Sequence, residues 1–572
     1  MKIRNYILAF ALAISTGITA QTLWHKEYLG RPTDNSITVS LMFIDSADVS
    51  VQYGTTSGTY PNQTAWQTFG DSSSAEILVS GLTANTKYFY RVQYRHPRTT
   101  TVTNRPEFTF HTQRPTGSQF SFIVQADPHM DSGTDTALYR LAIQNQLSDN
   151  PDFMIDLGDF LMTDKLLNSS HVVPFDTIPY RCNKLRNHYE SESHSVPIFN
   201  TIGNHEGECG WYNNGTASCV PVWDAVQRNK YFVNPAPNNF YTGDTSTTNS
   251  VGKRKSFYSW QWGDALFIVL DAYWYSTPKP DSLHGWYWTL GKKQYDWLKT
   301  TLENSTATYK FVFSHQLIGG DPQGRGGVER ANFYEWGGQN IDSTQGFAAN
   351  RPGWYKPIKD LLTEHRVNIF FHGHDHFYDK QEKDCMIYQE TPQPSLPNFV
   401  NPPNQAAQYG YLQGQILPNS GNLRVTVGPT GVQVDYVRVF LPSQETSTRH
   451  NKDVSATYFI STPNCYDSLT TGTPTLWNSN YSDELIYPNP FMHETKIEFS
   501  VNKAEKTNLN VYNENGQLVR RLIAGSIVPE GKFDIIWDGK DSYGAPLPAG
   551  IYYYSIQGET SGEHRGKIVL VR

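Results

Sequence analysis

Seven side chains able to bind a hard or borderline metal ion fall in five short blocks: Asp127 and His129 in Asp-Pro-His, Asp159 in Gly-Asp, Asn204 in Gly-Asn-His-Glu, a single His315, and His374 with His376 in His-Gly-His-Asp-His. Carboxylate, imidazole and amide donors without a thiolate suit Mn, Fe or Zn rather than soft-metal or iron–sulfur chemistry. Seven donors are too many for one ion. Two ions about 3.5–4 Å apart, sharing a carboxylate, form a site for in-line displacement at phosphorus. Such a pair lowers the pKa of a bridging water and neutralises phosphate oxygens. The expected chemistry is hydrolysis of a phosphate ester by a metal-bridging hydroxide.

The blocks can act together only if the chain between them delivers each to a common point. Short, nearly continuous apolar runs precede all five: FSFIVQ (120–125), DFMIDL (152–157), VPIFNTI (196–202), KFVFS (310–314) and VNIFF (367–371). Runs of this length and continuity read as buried strands. A sixth, ALFIVL (265–270), has no block behind it. Helical stretches at 136–147, 292–302 and 357–365 lie between them, which predicts an α/β layered domain. In open α/β sheets, ligands gather beyond the carboxyl ends of the strands, so one edge of a parallel sheet is expected to collect the blocks. Further strands at 423–440 and 456–461 extend this domain, which is placed at 116–463.

All-β pieces are expected on both sides. Residues 36–113 contain short alternating strands between Gly, Asn, Pro and Ser turns, the spacing of a sandwich. The stretch from Gly81-Leu82-Thr83 to Tyr88-Phe89-Tyr90 resembles the tyrosine corner of fibronectin type III modules, which assigns 21–115 to a domain of that kind. Residues 1–20 read as a secretory signal peptide, with Lys2 and Arg4 before an apolar stretch, and no transmembrane segment is expected. A Thr/Ser/Asn/Pro-rich linker is placed at 464–483, before a second sandwich at 484–572. There Trp537-Asp538-Gly539-Lys540-Asp541 and Pro548-Ala549-Gly550-Ile551-Tyr552 resemble the C-terminal sorting domain of type IX secretion. That resemblance implies the type IX machinery as a partner and a secreted or surface-attached protein.

The order DxH, GD, GNHE, H, GHDH resembles the calcineurin-like metallophosphoesterase family over about 118–463. The resemblance implies a sandwich of two β-sheets flanked by helices. Carried over residue by residue, it implies that Asp127, His129 and His376 hold a first ion, that Asp159 bridges, and that Asn204, His315 and His374 hold the second. His205 is then uncoordinated beside the leaving group, where an imidazole can protonate a departing alkoxide, a contribution of roughly 10²–10⁴-fold. A fibronectin-like domain ahead of the catalytic one is similar to the arrangement of purple acid phosphatases, but two departures stand out. Met162 occupies the position of their tyrosine, three residues after the Gly-Asp aspartate, and His129 is an additional ligand. A tyrosinate-coloured ferric centre is therefore not expected.

Smaller expectations concern the surroundings. Arg325 or Arg330, in the Gly-rich stretch after His315, could clamp a phosphate oxygen, or both could be solvated. Asp375 could orient an imidazole, with a solvent-facing or backbone-bonded role as the alternative. His171, His188, His194, His284 and His365 belong to no block and are read as structural or surface residues. The aromatic-rich segment 257–297 is read as packing. Among five cysteines, Cys209 and Cys219 would close a short loop if paired, but spacing alone does not fix connectivity.

Of the 572 residues, 38% are hydrophobic and 14% aromatic, enough to build buried cores, which excludes disorder for most of the chain. Lys and Arg number 47 against 54 Asp and Glu, so no broad surface for nucleic-acid phosphates is expected. The leading function is a secreted phosphomonoesterase that scavenges phosphate from small organic esters. A phosphodiesterase or nucleotidase is the alternative from the same site, and a non-catalytic surface binding protein is a third. A serine hydrolase is disfavoured because no Gly-x-Ser-x-Gly elbow lies between a strand and a helix.

Overall fold

The computed structural model describes residues 22–400, 403–461 and 465–468, and, toward the C-terminus, 485–501, 503–513, 517–542, 544–558 and 562–571. The expected signal peptide lies outside the described residues. The chain forms two compact units, Met1–Tyr466 and Asp467–Arg572.

The first unit opens with a β-sandwich. Leu23–Gly30, Ser36–Phe43 and Ser74–Ser80 form one sheet; Ala47–Gly54, Lys87–Arg95, Phe108–His111 and shorter strands form the other. Along Lys87–Arg95 every second residue is buried, the period that sends alternate side chains into the core. At the corner, the Tyr88 hydroxyl accepts the Thr83 N–H at 2.9 Å. This sandwich shares a core with the following domain: Tyr28 and Met42 pack with Leu138, Tyr189 and Phe232. The fully buried Arg186 donates to the carbonyls of Ser40 and Tyr231, and Tyr90 donates to His194 O.

The central domain has two sheets face to face. In the first, the order is Ile198–Asn200, Phe153–Asp156, Phe120–Gln125, Gly421–Gly428, Gly431–Arg438 and Val454–Ser461; the first three strands are parallel to one another. In the second, Ala265–Val269, Tyr309–Phe313, Ile369–His372 and Met386–Glu390 run parallel, with Asp379–Lys383 and Tyr258–Trp262 antiparallel at the flanks. The expectation of a single sheet edge is therefore corrected. Three blocks follow strands of the first sheet and two follow strands of the second, and the domain is a sandwich of these two sheets. Runs read as one continuous apolar class split because their inward faces must cover each other: Phe122, Phe153, Phe267, Phe311, Phe313, Phe371 and Trp260 form a largely aromatic layer between the sheets. Each such burial stabilises by roughly 1.5–3 kcal/mol, so the sheets stay in register at the ends that carry the ligands.

Helices Thr136–Ser148, Gly291–Glu303 and Ile358–Glu364 stand where the sequence places them; Asp135 caps the first by accepting from Ala137 and Leu138 N–H. Two more, Thr177–Tyr189 and Val220–Tyr231, were not expected. The first of these buries Arg181, Arg186 and His188 alongside its apolar residues, which erases the apolar stripe that marks an amphipathic helix.

The suggested Cys209–Cys219 loop is not formed. The disulfide joins Cys385 to Cys465, while Cys182, Cys209 and Cys219 are free and buried. Cys209 points its thiol at Asn204 O and Cys219 at Thr216 O. Cys465 and Tyr466, whose hydroxyl donates to Val367 O, keep the chain with the first unit past residue 463, so the expected linker starts a few residues early.

The second unit is all β. One sheet contains Leu485–Tyr487, Thr495–Val501 and Gly531–Trp537; the other contains Leu518–Val528, Glu505–Asn513, Gly550–Gly558 and Gly562–Leu570. Phe499, Trp537, Tyr552 and Ile556 lie in its core.

Candidate metal centre

The turns after the strands, rather than the strands themselves, aim the donors. Asp127, His129, Asp159, His374 and His376 all have left-handed backbone, with φ of 56°, 56°, 59°, 80° and 65°. Non-glycine residues rarely adopt this region, and clusters of them mark functional sites. The turns are tied to one another. Asp127 N–H donates to Gly158 O, His129 N–H to Asp159 O, and Gly373 N–H to His315 O, at 2.9–3.0 Å. Glu206 is the central tie: its buried carboxylate accepts the N–H groups of Asp159, Phe160, Leu161 and Gly203 at 2.5–3.0 Å, locking the Gly-Asp turn onto the Gly-Asn-His-Glu turn.

The Asp159 and Asp127 carboxylates are each held by one oxygen and left open at the other. Asp159 Oδ1 accepts His205 N–H at 2.8 Å, and Asp127 Oδ2 accepts His374 N–H at 2.9 Å. Asp159 Oδ2, Asp127 Oδ1, His129 Nε2 and His374 Nε2 are buried with no hydrogen-bond partner. A buried polar atom without a partner costs about 1–3 kcal/mol, and several such atoms on these tied loops call for cations. Asp127, His129 and His376 offer ligand atoms within 4.8 Å of one another, and so do Asp159, His315 and His374. His315 Nε2 lies 3.1 Å from Asp159 Oδ2 and 3.8 Å from Asp127 Oδ1, spanning the two groups. The Asn204 amide oxygen is 3.2 Å from the same nitrogen. The other His315 nitrogen, Nδ1, is 3.0 Å from Leu157 O, so Nδ1–H donates there and Nε2 is left to coordinate. Two glycines make room: a Cβ on Gly203 would sit 2.2 Å from Asp159 Oδ1, and one on Gly373 2.6 Å from Asp127 Oδ2. The donor set fits two hard or borderline ions.

Protons compete with cations for these groups. Burial works against a charged His315, but Asp159 and Asp127 outweigh it and push the imidazole up to about 9. Burial also opposes ionisation of Asp127, yet the imidazoles of His376 and His315 hold it well below the usual carboxylate range. Loading ions must therefore expel protons, and affinity rises with pH.

The structure brings all seven predicted donors together, and His205 beside them. His205 Nε2 is 3.7 Å from Asp159 Oδ2, and Nδ1 is 2.6 Å from Asp164 Oδ1. Burial disfavours its charge, but Asp159 and Asp164 raise its pKa above the ordinary histidine value. The sequence did not single out Asp164 or the tying role of Glu206: Asp164 lies eight residues past the end of Phe153–Asp156 rather than at the strand end, and Glu206 acts through backbone N–H groups that no spacing rule reports. Asp375 faces neither solvent nor an imidazole. It is buried and accepts from Arg325, Gly326 N–H and Tyr411. That pairing holds the Arg325 guanidinium 4.0 Å over the Tyr409 ring and 3.4 Å from His374 O. Arg330 pairs with Asp321, and none of its described contacts is with the seven donors. Met162 is buried, and Tyr273, whose ring is 6.2 Å from that of His315, donates its hydroxyl to Gln316.

Residues 120–378 match the model of the calcineurin-like phosphoesterase family, from the first strand to just beyond the last block. The chain carries a calcineurin-like phosphoesterase domain. On this domain the protein is a metal-dependent phosphoester hydrolase. Residues 491–562 match the FlgD Ig-like domain. Among solved structures, PhoD aligns at 16% identity with a TM-score of 0.55, over 77% of this chain and 93% of that one. Purple acid phosphatase PPD1 from yellow lupin (Lupinus luteus) seeds aligns at 13% identity with a TM-score of 0.49, over 76% and 74%. The likeness to PhoD is one of fold. No curated protein matches the chain. Among the described residues, no helix is long and apolar enough to cross a membrane.

Proposed function

We propose that the calcineurin-like domain is a two-metal phosphomonoesterase acting on small phosphate esters outside the cell. The observation that carries this reading is the gathering of Asp127, His129 and His376, and of Asp159, His315 and His374, into two groups of ligand atoms that His315 spans. Asp127, His129 and His376 would hold one ion, Asn204, His315 and His374 the other, and Asp159 both. When bound, such a pair supplies a water that ionises near neutral pH and charge to offset the phosphate oxygens. The chain's own residues do the rest. Glu206 keeps the two central turns from separating. Arg325, held by Asp375 and Tyr409, is placed to bind a phosphate oxygen beside His374. His205, its Nδ1 bonded to Asp164, delivers the Nε2 proton to the departing oxygen.

A panel of monoesters and diesters tests the assignment. Phosphate release from alkyl monoesters is expected, and faster turnover of diesters would favour the phosphodiesterase alternative instead. His205→Ala should slow alkyl esters by about 10²–10⁴-fold and activated aryl esters less, since a phenolate leaves without a proton.

Export rests on the leader at 1–20 and on the C-terminal unit, which has a β core of its own. In this reading, removing 484–572 leaves hydrolysis by the purified protein intact and traps the enzyme inside the cell envelope. Release of the truncated protein to the medium would refute that role.

A further inference from the structure

The Gly-rich stretch after His315 walls a cavity that none of the steps above uses. Its volume is 360 Å³, within the roughly 300–1,000 Å³ of small-ligand pockets. Asp321, Gln323, Arg325 and Arg330 of that stretch line it, together with Gln408 and Tyr409. The same stretch packs directly on two of the ligand blocks. A Cβ on Gly324 would meet the amide of Gln316, the residue after His315, at 2.5 Å. Gly326 N–H donates to Asp375 Oδ2 at 3.0 Å, and Arg325 Nη1 lies 3.4 Å from His374 O. Arg325 therefore belongs both to the cavity lining and to the surroundings of a donor histidine.

Both guanidinium groups in the lining are held in place without using up their donors. Asp375 and the Tyr409 ring fix Arg325, whose described hydrogen bonds all run through Nη1. The Arg330 stem lies against Gly326, where a Cβ would meet its Cγ at 2.9 Å. Asp321 Oδ2 is 3.2 Å from Arg330 Nε, yet that buried nitrogen has no hydrogen-bond partner. Asp321 Oδ1 is occupied by Gln323 N–H at 2.8 Å. A guanidinium carries five N–H donors in a planar fork that matches the oxygens of a carboxylate or phosphate. The side chains of Arg325 and Arg330 are 28% and 33% exposed, so a solute can reach them.

We propose that this cavity takes a second anionic group, a carboxylate or a phosphate, carried by the ester whose reacting phosphate sits at the metals. Arg325 holds an oxygen of the reacting phosphate and Arg330 the distal group. The inference rests on the phosphoesterase reading for the first of these contacts. A hydrogen bond between charged partners at a side chain one-third exposed falls at the lower end of its range, or roughly tenfold in affinity.

The test compares matched esters on the metal-loaded, full-length protein. Phosphoglycerate and glycerol phosphate differ by a carboxylate; propanediol bisphosphate and propanediol monophosphate differ by a phosphate. In at least one pair the member with the extra anionic group should have the higher kcat/KM, by about tenfold, and the ratio should shrink as salt is added. Both readings need only the wild-type protein. Arg330→Gln should cut the ratio by a similar factor and Arg330→Lys, which keeps the charge, by less, with bound metal and far-UV circular dichroism followed in parallel. Preference in the first pair alone assigns the cavity to a carboxylate, and in the second alone to a phosphate. Equal kcat/KM within both pairs, or a ratio that Arg330→Gln leaves unchanged, would overturn the inference while leaving the metal centre as read. Release of phosphate from none of the four esters would instead refute the reading of the metal centre.

Discussion

Asp164→Asn removes one charge from the acid dyad while leaving an oxygen for His205 Nδ1–H, so it separates electrostatics from geometry. The contact is 2.6 Å long, and the side chains are 13% and 19% exposed, which leaves modest solvent screening. A hydrogen bond to a charged partner is worth about 1.5–3 kcal/mol; with partial exposure the lower end applies, or about tenfold in rate. The same loss lowers the His205 pKa, since Asp164 is among the groups that raise it. Asp159 and Asp164 hold that pKa above its ordinary value, so the general acid stays protonated to higher pH than an ordinary histidine. Without Asp164, the alkaline limb of the kcat/KM profile should move toward acid. The assay is a pH–rate profile on an alkyl phosphate and on an activated aryl phosphate, with bound metal measured in parallel. Equal loss on both esters, a limb that does not move, or loss of a metal would show that Asp164 does not act through the proton of His205.

Other perturbations test other parts of the site. Gly203→Ala would drive a Cβ to 2.2 Å from Asp159 Oδ1 and should cost at least one metal while the far-UV circular dichroism stays native; a fully loaded variant would contradict the packing argument. Asp379, buried with both carboxylate oxygens unpartnered, has its pKa pushed up to about 8 by burial and by Glu329. Its neutral form therefore favours the native state below about pH 4, and that advantage disappears as the pH rises toward 8, by at most about 5 kcal/mol. Asp379→Asn should match wild type in thermal stability near pH 4 and exceed it increasingly up to pH 8; a difference independent of pH would be the wrong sign of evidence. The iron-loaded protein should lack a tyrosinate charge-transfer band, since Met162 fills the position after the Gly-Asp turn; a visible band lost on Tyr273→Phe would reverse this.

The donors were legible because metal ligands must be particular residue types at strand ends, and five apolar runs each ended on one. The sheet arrangement was not. Phe122 and Phe313 look alike in sequence, and only their mutual packing puts them in opposite sheets. The helix Thr177–Tyr189 was hidden because its buried face includes His188 and Arg181 and Arg186, whose partners are carbonyls distant in the chain. Asp164 and Asp375 were obscure for a related reason. Their roles are defined by His205 and Arg325, neighbours in space that no spacing rule connects. Cysteine pairing was left open for the same reason, since Cys385 and Cys465 lie 80 residues apart and nothing in a sequence reports that separation as a contact.

The central claim is that two ions share Asp159. Titration of metal-stripped protein with Mn²⁺ or Zn²⁺, following ions bound and phosphate released from one monoester, tests it most directly. Wild type should bind two ions per chain, with activity rising as the second fills. Asp159→Asn should bind fewer and release no phosphate. One ion per chain at full activity, or two retained by Asp159→Asn with near-normal turnover, would contradict the account.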